Sequence, residues 1–462
     1  MKTKKHVFLI ALFIGLVSCN LFAQEKPNII VILTDDQGWS DVGFNGCTDI
    51  PTPALDKLAS EGVVFDQGYV SAPYCSPSRA GLLTGRYQSR FGHDCNPPYI
   101  ENGEEVGTPL SEVMISDYLK AGGYKTCAIG KWHLGDAQKF QPNERGFDHW
   151  FGFSAGGTNY WGFPQGNHKT IYRNKEKVDQ KELSYLTDDF TEEAVSFIKE
   201  NKDDPFFIYL AYNAPHAPDH TTEEYLEKTK HIEYGGRSVY GAMVAGVDAG
   251  VGAIDKTLTE LGIKENTMVI FLSDNGGRAE HADNRPYRGH KGMIFEGGIR
   301  VPFVMTWPKG LEGGKRYGEP IISLDILPTA LAAAGIDKKP KNKLDGVNVL
   351  PYLKEEKKGI PHDFLVWRTV NGFEYGVRKG NYKLYKSTYK DKFLLFDLSK
   401  DSYERNDIAE QNPKVVAELK EDFEKWNKDM IAPLWLDPHP ENVIKEEKRL
   451  QETRRKSLHK KK

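Results

Sequence analysis

Three continuous apolar runs punctuate the chain, and each ends in a cluster of polar residues. Residues 27–34, PNIIVILT, lead into Asp35-Asp36. Phe206 to Tyr212 (FFIYLAY) leads into Asn213-Ala214-Pro215-His216, and Thr267 to Ser273 (TMVIFLS) into Asp274-Asn275-Gly276-Gly277. Runs without polar alternation predict strands buried on both faces of a sheet. Between them, helical periodicity marks residues 53–61, 111–121, 187–200 and 241–261. Pro53 suits a first helical turn, and Gly122-Gly123 suits a helix stop. Alternating strand and helix signals predict an α/β domain over residues 24–359. In open α/β sheets, ligands bind at the carboxyl ends of the strands. The polar ends of the three runs are therefore expected to converge on one crevice.

The pattern changes after about residue 359. Residues 362–370, 373–378, 381–386 and 393–397 are short β-rich runs, separated by turn residues such as Asn371-Gly372 and Lys379-Gly380-Asn381. That is a meander pattern and predicts an antiparallel sheet. A helix is expected from Pro413 to Met430, closing a second, β-rich unit at residues 360–440. The remaining tail, 441–462, is highly charged, ends in three lysines and reads as a solvated face.

Composition narrows the class. The chain has 462 residues, 39% hydrophobic and 27% charged, an ordinary globular balance. Net charge is only −3, so nothing in the bulk field points to nucleic acid as a partner. Binding of an anionic ligand has to come from a local basic cluster. Lys2, Lys4 and Lys5 precede an apolar run from Val7 to Val17, which has the layout of a secretory signal and is too short to span a membrane. Two processing routes fit. Cleavage after Ala23 removes residues 1–23. Alternatively, the lipobox-like Leu16-Val17-Ser18-Cys19 leaves a lipidated Cys19 after removal of residues 1–18. Either route predicts export, to the periplasm or as an outer-membrane lipoprotein ahead of full secretion. No later stretch is long and apolar enough to be a transmembrane segment. The five cysteines show no even, tightly spaced framework. Cys47, Cys95 and Cys127 read as buried or loop thiols, with one bridge among them left open.

Cys75 is different. It opens Cys75-Ser76-Pro77-Ser78-Arg79, which continues as AGLLTG to Gly85. A second segment, Gly123 to His133, ends in Gly130-Lys131-Trp132-His133. Asp35, Asp36, Asp274 and Asn275 are hard oxygen donors of the kind that suit calcium or magnesium. Two further segments carry His216 (Asn213 to Pro218) and Lys291 (Arg288-Gly289-His290-Lys291-Gly292, then Phe295 to Pro302).

These five segments, in this order from about Pro27 to Pro302, resemble the formylglycine-dependent (type I) sulfatases, of the bacterial polysaccharide and arylsulfatase kind. The Cys-x-Pro-x-Arg core resembles their recognition sequence for oxidising cysteine to formylglycine (3-oxoalanine). Tyr74 is bulkier than the small aliphatic residue usual at that position, but it lies outside the core. Leu394 to Leu398, with Glu404 and Asn406 to Ala409, looks like the family's C-terminal subdomain. The resemblance implies an alkaline-phosphatase-like mixed sheet sandwiched by helices, with a smaller C-terminal antiparallel β subdomain. It implies a catalytic set of Cys75, Arg79, Lys131, His133, His216 and Lys291. It also implies one Ca2+ bound by Asp35, Asp36, Asp274, Asn275 and an oxygen of the modified Cys75. A formylglycine-generating maturation enzyme follows as a partner.

Cleaving a sulfate monoester requires cations around the sulfuryl oxygens, an in-line nucleophile and an acid for the leaving alcohol. The resemblance assigns attack to the hydrated formylglycine. Arg79 holds the diol, and Lys131 and Lys291 neutralise sulfate oxygens. His216 is assigned as the acid, and His133 takes the second hydroxyl's proton. The expected substrate is a sulfated polysaccharide or its oligosaccharides, algal (ulvan, carrageenan, fucoidan) or glycosaminoglycan. Candidate specificity residues are His281, Asp283, Asn284, Arg285, Tyr287, Arg288 and His290. Tyr160-Trp161-Gly162-Phe163 and His168 are read equally as sugar-stacking or packing residues. Two alternatives stand beside this reading: a phosphonate or phosphate ester hydrolase of the same superfamily, and an inactive carbohydrate-binding homologue. Lys131, His133, His216 and Lys291 all match, which favours the sulfatase. The extra Asp and His ligands of a two-zinc phosphatase are not found.

Overall fold

The computed structural model describes residues 26–98, 106–162, 169–337, 339–369, 373–387 and 392–436. The expected signal segment with Cys19, the residues Phe163 and His168, the Asn371-Gly372 turn and the tail 441–462 lie outside the described residues.

Each of the three apolar runs forms a strand, and the three are neighbours. Asn28–Thr34 lies at the centre and pairs in parallel with Thr267–Ser273 on one side and Phe206–Ala211 on the other. Among the described residues the sheet has ten strands. Their order is Lys315–Tyr317, Val63–Phe65, Phe303–Thr306, Thr267–Ser273, Asn28–Thr34, Phe206–Ala211, Lys125–Lys131, His149–Phe153, Tyr172–Arg173, Glu176–Lys177. Five adjacent strands, from Thr267–Ser273 to His149–Phe153, run parallel. Phe303–Thr306 pairs antiparallel beside them, so the sheet is mixed.

Burial on both faces explains the unbroken hydrophobicity of the central strand. Ile29, Val31 and Leu33 face one core, together with Leu82 and Leu83 of helix Cys75–Thr84, Leu119 of helix Ile115–Ala121 and Leu327 of helix Ile326–Ala333. Ile30 and Ile32 face the other, with Leu55 of helix Pro53–Glu61, Phe190 of helix Leu186–Glu200 and Val247 of helix Gly235–Glu260. Successive strand side chains point to opposite faces. Each of these buried aliphatics stabilises the sandwich by roughly 1.5–3 kcal/mol.

Some boundaries differ from the sequence reading. The helix expected over 111–121 begins at Ile115, because Asp117 accepts a hydrogen bond from the Met114 N–H (2.9 Å) and caps it there. The helix expected from residue 241 begins at Gly235. The strand Lys125–Lys131 was not anticipated, since its polar ends mask a short buried centre.

The C-terminal strands Phe364–Thr369, Glu374–Lys379, Tyr382–Lys386 and Phe393–Asp397 form the expected antiparallel meander. Helix Pro413–Asn427 covers one face, with Phe423 stacked on Tyr375 at 3.6 Å between centroids. It ends three residues before Met430, and the chain then turns back onto the larger unit. There the Ile431 N–H donates to Ser89 O and the Leu434 N–H to Gly92 O. Cys47, Cys75, Cys95 and Cys127 are all free thiols, so the bridge left open among three of them does not form. Among the described residues, no helix is long and apolar enough to cross a membrane.

Candidate active site

The polar residues that end the apolar runs come together at the carboxyl ends of the parallel strands. Thr34 pairs with Ser273, so the residues after these strands, Asp35 and Asp274, emerge side by side. The Asp274 N–H donates to Thr34 O at 2.9 Å, extending the ladder by one bond. Lys131 is the last residue of its strand, with His133 two residues beyond. His216 follows Phe206–Ala211 in the next loop. Cys75 comes from a different element, as the first residue of helix Cys75–Thr84. Arg79 is four residues on and so lies on the same helical face. Asp36 and His133 have positive φ, 68° and 62°. This left-handed region is sparsely populated for residues other than glycine, and it marks two tight turns at the rim of the crevice.

The side chains interlock. Lys131 Nζ lies 2.5 Å from Asp35 Oδ2. Arg79 is fully buried and clasps Asp274 through Nε (2.9 Å) and Nη2 (2.8 Å), while Nη1 donates to Lys131 O (3.0 Å). Lys291 Nζ reaches both Asp36 Oδ2 (2.8 Å) and Cys75 Sγ (3.3 Å). Cys75 Sγ is also 3.3 Å from Asp35 Oδ1. His216 Nε2 is 3.7 Å from Asp36 Oδ2, and its Nδ1 faces Ala217 O at 2.6 Å. That contact requires the proton on Nδ1 and leaves the Nε2 lone pair facing the pocket.

Burial is the largest influence on most of these groups, and the charges decide which way it resolves. On Asp36 burial acts upward, but Lys291, His216 and Lys131 outweigh it and hold the carboxyl well below its usual range. Asp274 is pushed up, by burial first and then by the Asp35 charge. Burial and Asp35 likewise push the Cys75 thiol up, so the unmodified residue is a protonated, poor nucleophile. His216 is drawn down to about 3 by burial and then by Lys291. His133 is drawn far down by burial and then by Lys131. Both imidazoles are neutral at pH 7. Lys291 stays charged because Asp36 and then Asp35 overcome its burial.

The donor set fits a divalent metal. Ligand atoms of Asp35, Asp36, Cys75 and Asp274 all lie within 4.8 Å of one another and are buried. Lys131, Arg79 and Lys291 each pair with one of the three carboxyl groups, yet the carboxyl oxygens remain close enough together to share one ion. Among the described residues Asn275 Oδ1 is buried without a hydrogen-bond partner, while its Nδ2 donates to Asp36 Oδ1 at 2.8 Å. Rotating that amide turns an oxygen toward the cluster, giving the all-oxygen character that calcium and magnesium prefer.

The candidate specificity residues divide. His281 pairs with Asp219 (3.4 Å), and Arg285 is exposed and pairs with Asp283. His290 Nδ1 contacts Lys291 O at 2.9 Å. Asn284 is buried, and its amide closes a loop through both backbone groups of Gly277 (2.8 and 2.9 Å). Tyr287 packs edge-on against Trp39 and beneath Arg300. Arg288 stacks on Phe295 at 3.8 Å and donates to Glu404 O at 3.1 Å. Tyr160 is buried, and its hydroxyl donates to Asn213 O (2.6 Å) and His216 O (2.7 Å). It is thus a packing residue that holds the His216 loop.

The sequence reading missed two supports. Ser76 Oγ, next to Cys75 in the chain, bridges His93 Nε2 (2.6 Å) and His133 O (2.5 Å). Arg278 clasps Asp219 and ties the loop after Gly277 to the His216 loop. No local pattern flags these residues, because each acts through a partner distant in the chain.

A mixed α/β sandwich whose strand ends gather two lysines, an arginine, two neutral imidazoles and a metal-fitting carboxylate cluster around one side chain defines a hydrolase of anionic esters. Comparison with known proteins makes the class specific. The family profile described as Sulfatase matches residues 27–336, and that described as N-sulphoglucosamine sulphohydrolase, C-terminal, matches residues 289–429. The N-acetylgalactosamine-6-sulfatase of Mus musculus is 32% identical, across 86% of this chain and 78% of its own length. The uncharacterized sulfatase YdeN of Escherichia coli strain K12 is 31% identical, across 86% of this chain and 84% of its own. The crystal structure of Ps i-CgsB in complex with k-i-k-neocarrahexaose superposes with a TM-score of 0.85 at 36% identity, covering 91% of this chain and 97% of that one. The chain belongs to the sulfatase family and is a sulfuric ester hydrolase.

Proposed function

We propose that this sulfatase removes sulfate from polysaccharides or their oligosaccharides, of carrageenan, fucoidan, ulvan or glycosaminoglycan type, using Cys75 after its oxidation to formylglycine. The observation that carries the chemistry is Lys291, whose Nζ touches both Cys75 Sγ and an Asp36 oxygen. The carbohydrate reading is supported by similarity to a structure holding neocarrahexaose and to an N-acetylgalactosamine-6-sulfatase. Export is supported by the basic-then-apolar segment ahead of Val17.

Calcium held by Asp35, Asp36, Asp274, Asn275 and the oxidised Cys75 would offset the clustered carboxylates and add positive charge where the sulfuryl group binds. The hydrated formylglycine supplies the attacking hydroxyl. Around it, Lys131 and Lys291 provide fixed positive charge for the sulfuryl oxygens, and Arg79 keeps Asp274 and the Lys131 backbone in place. Breaking the S–O bond leaves an alkoxide that needs a proton. His216 is held with its Nε2 toward the pocket and is neutral beside Lys291. A bound sulfate offsets the Lys291 charge and raises the proton affinity of Nε2, which takes up a proton from solvent and gives it to the leaving oxygen as the S–O bond breaks. Asp35 Oδ1, 3.3 Å from the residue-75 side chain, would accept the proton of the attacking hydroxyl. His133, neutral and with Nδ1 free of any hydrogen bond among the described residues, is the acceptor for the proton lost by the second hydroxyl.

The test is free sulfate released from a panel of sulfated polysaccharides, their oligosaccharides and an aryl sulfate. The protein is co-expressed with a cysteine-oxidising maturation enzyme, and Cys75→Ala is the control. Release by the wild type alone is expected, with labelled water oxygen appearing in the sulfate. No release from any carbohydrate, with the aldehyde confirmed by mass spectrometry and calcium present, overturns the polysaccharide reading.

A further inference from the structure

The segment Arg288 to Arg300 carries Lys291 into the site and is held from two sides. On the inner side, the Lys291 N–H donates to Gly277 O (3.0 Å) and the Gly292 N–H to Pro73 O (2.9 Å). These bonds dock it between the loop after Asn275 and the loop before Cys75. Its base is closed by the Gly297 N–H to Arg288 O bond at 2.7 Å. At Gly298, a Cβ would meet Met293 O at 2.0 Å, so the turn admits only this tight path.

On the outer side the contacts come from the C-terminal subdomain. Glu404 Oε2 accepts the Glu296 N–H at 2.7 Å, and Glu404 O accepts from Arg288 Nη1 at 3.1 Å. Lys383 Nζ sits between Glu296 Oε1 and Glu404 Oε1, 2.8 Å from each, with all three side chains fully buried. The other Glu296 oxygen takes Tyr69 Oη (2.7 Å) and Arg300 Nη1 (3.3 Å). Two carboxyl groups and an ammonium thus span the boundary between the two units with no access to water. A buried ion cluster is a weak source of net stability, since apolar replacements often do as well. It does impose direction and spacing on whatever it ties together.

We propose that Lys383 and Glu404 are positioning residues for catalysis: through Glu296 and Arg288 they hold the Arg288–Arg300 segment so that Lys291 stands beside the residue-75 nucleophile. The C-terminal subdomain is then part of the catalytic apparatus, although neither residue touches the reacting atoms. The inference rests on the reading that Lys291 serves the sulfate. A shift of the segment by about 1 Å would cost catalysis up to about a hundredfold, while substrate could still reach the pocket.

The test uses the full chain, oxidised at residue 75 and supplied with calcium. Lys383→Met, Glu404→Ala and the isosteric Glu404→Gln are compared with Lys291→Met. The readouts are kcat and KM on an aryl sulfate, normalised to the aldehyde fraction from mass spectrometry, and the thermal midpoint. Lys383→Met and Glu404→Ala are expected to lower kcat by about tenfold or more with little change in KM. Glu404→Gln keeps an acceptor for the Glu296 N–H and should recover part of the loss. Unchanged kcat in folded Lys383→Met and Glu404→Gln, with only the thermal midpoint lowered, would overturn the proposal and leave a purely structural cluster. Full activity in Lys291→Met would instead remove the reading on which the proposal rests, whatever the other variants do.

Discussion

Asn275 gives its Nδ2 to Asp36 Oδ1 at 2.8 Å, while its own Oδ1 is buried without a hydrogen-bond partner among the described residues. An unsatisfied buried amide oxygen costs roughly 1–3 kcal/mol, and a divalent ion held by the Asp35, Asp36 and Asp274 carboxyl groups would give that oxygen, once the amide rotates, a partner. Chelation is therefore expected to lower both the thermal midpoint and the activity, and added calcium to restore both. At a free calcium concentration about a hundredfold above Kd, the stabilisation is about 2.7 kcal/mol. Thermal unfolding with and without a chelator measures it, and an unmoved midpoint would argue against a bound ion. Asn275→Ala should weaken the calcium response.

Cys75 is buried with its thiol pushed up, so it cannot act as a ready thiolate. Cys75→Ser, expressed with a cysteine-oxidising maturation enzyme, is expected to show no sustained turnover. Mass spectrometry should find the aldehyde in the wild type alone. Full turnover by the serine variant would sink the aldehyde mechanism.

Arg79 has no exposed surface and makes two contacts with Asp274. Arg79→Met leaves that carboxylate without its cation in a dry pocket, and breaking a buried pair in this way costs about 3–5 kcal/mol. Arg79→Lys restores the charge but not the two-pronged geometry, so it should recover only part of the stability and little activity. Denaturant unfolding and kcat on the oxidised protein report the two effects separately.

Asp248 tests the electrostatics away from the site. Thr52 makes no side-chain cap for helix Pro53–Glu61. Asp248, on helix Gly235–Glu260, supplies the cap instead by accepting the Leu55 N–H (2.8 Å) and the Ala54 N–H (3.2 Å). Burial pushes its carboxyl up to about 6, against those two backbone bonds. A raised carboxyl favours the protonated folded state. Its contribution is present below the unfolded pKa near 3.8 and is lost as pH climbs through 6. Asn cannot ionise yet can still accept, so Asp248→Asn should gain on the wild type between pH 4 and 7, by at most about 3 kcal/mol. Urea unfolding at several pH values gives the difference, and a pH-independent gap would refute the shift.

The strand ends were legible because a doubly buried strand must be apolar throughout and then stop at polar residues. This is what PNIIVILT before Asp35 and TMVIFLS before Asp274 display. Lys125–Lys131 was not legible as a strand, because Lys131 belongs to the site rather than to the core and breaks the apolar pattern. The specificity candidates at 281–290 drew attention as a polar run. Asn284 and Arg288 show that a polar run can be occupied with loop closure and with stacking on Phe295.

The sequence alone determined the chemical inventory: Cys75 one helical turn from Arg79, oxygen donors after two strands, and the Lys131, His133, His216 and Lys291 set. These are local features, set by side-chain type and short spacing. Tertiary structure decided which members meet. Lys131 and Asp35 are 96 residues apart and Lys291 and Asp36 are 255 apart, and both pairs close only because the sheet order brings those strand ends and the Arg288–Arg300 segment together. Glu404 reaching Glu296 from the C-terminal subdomain is of the same kind. A contact across such distances depends on which surfaces the folded layers bury against one another, and no window of neighbouring residues carries that information.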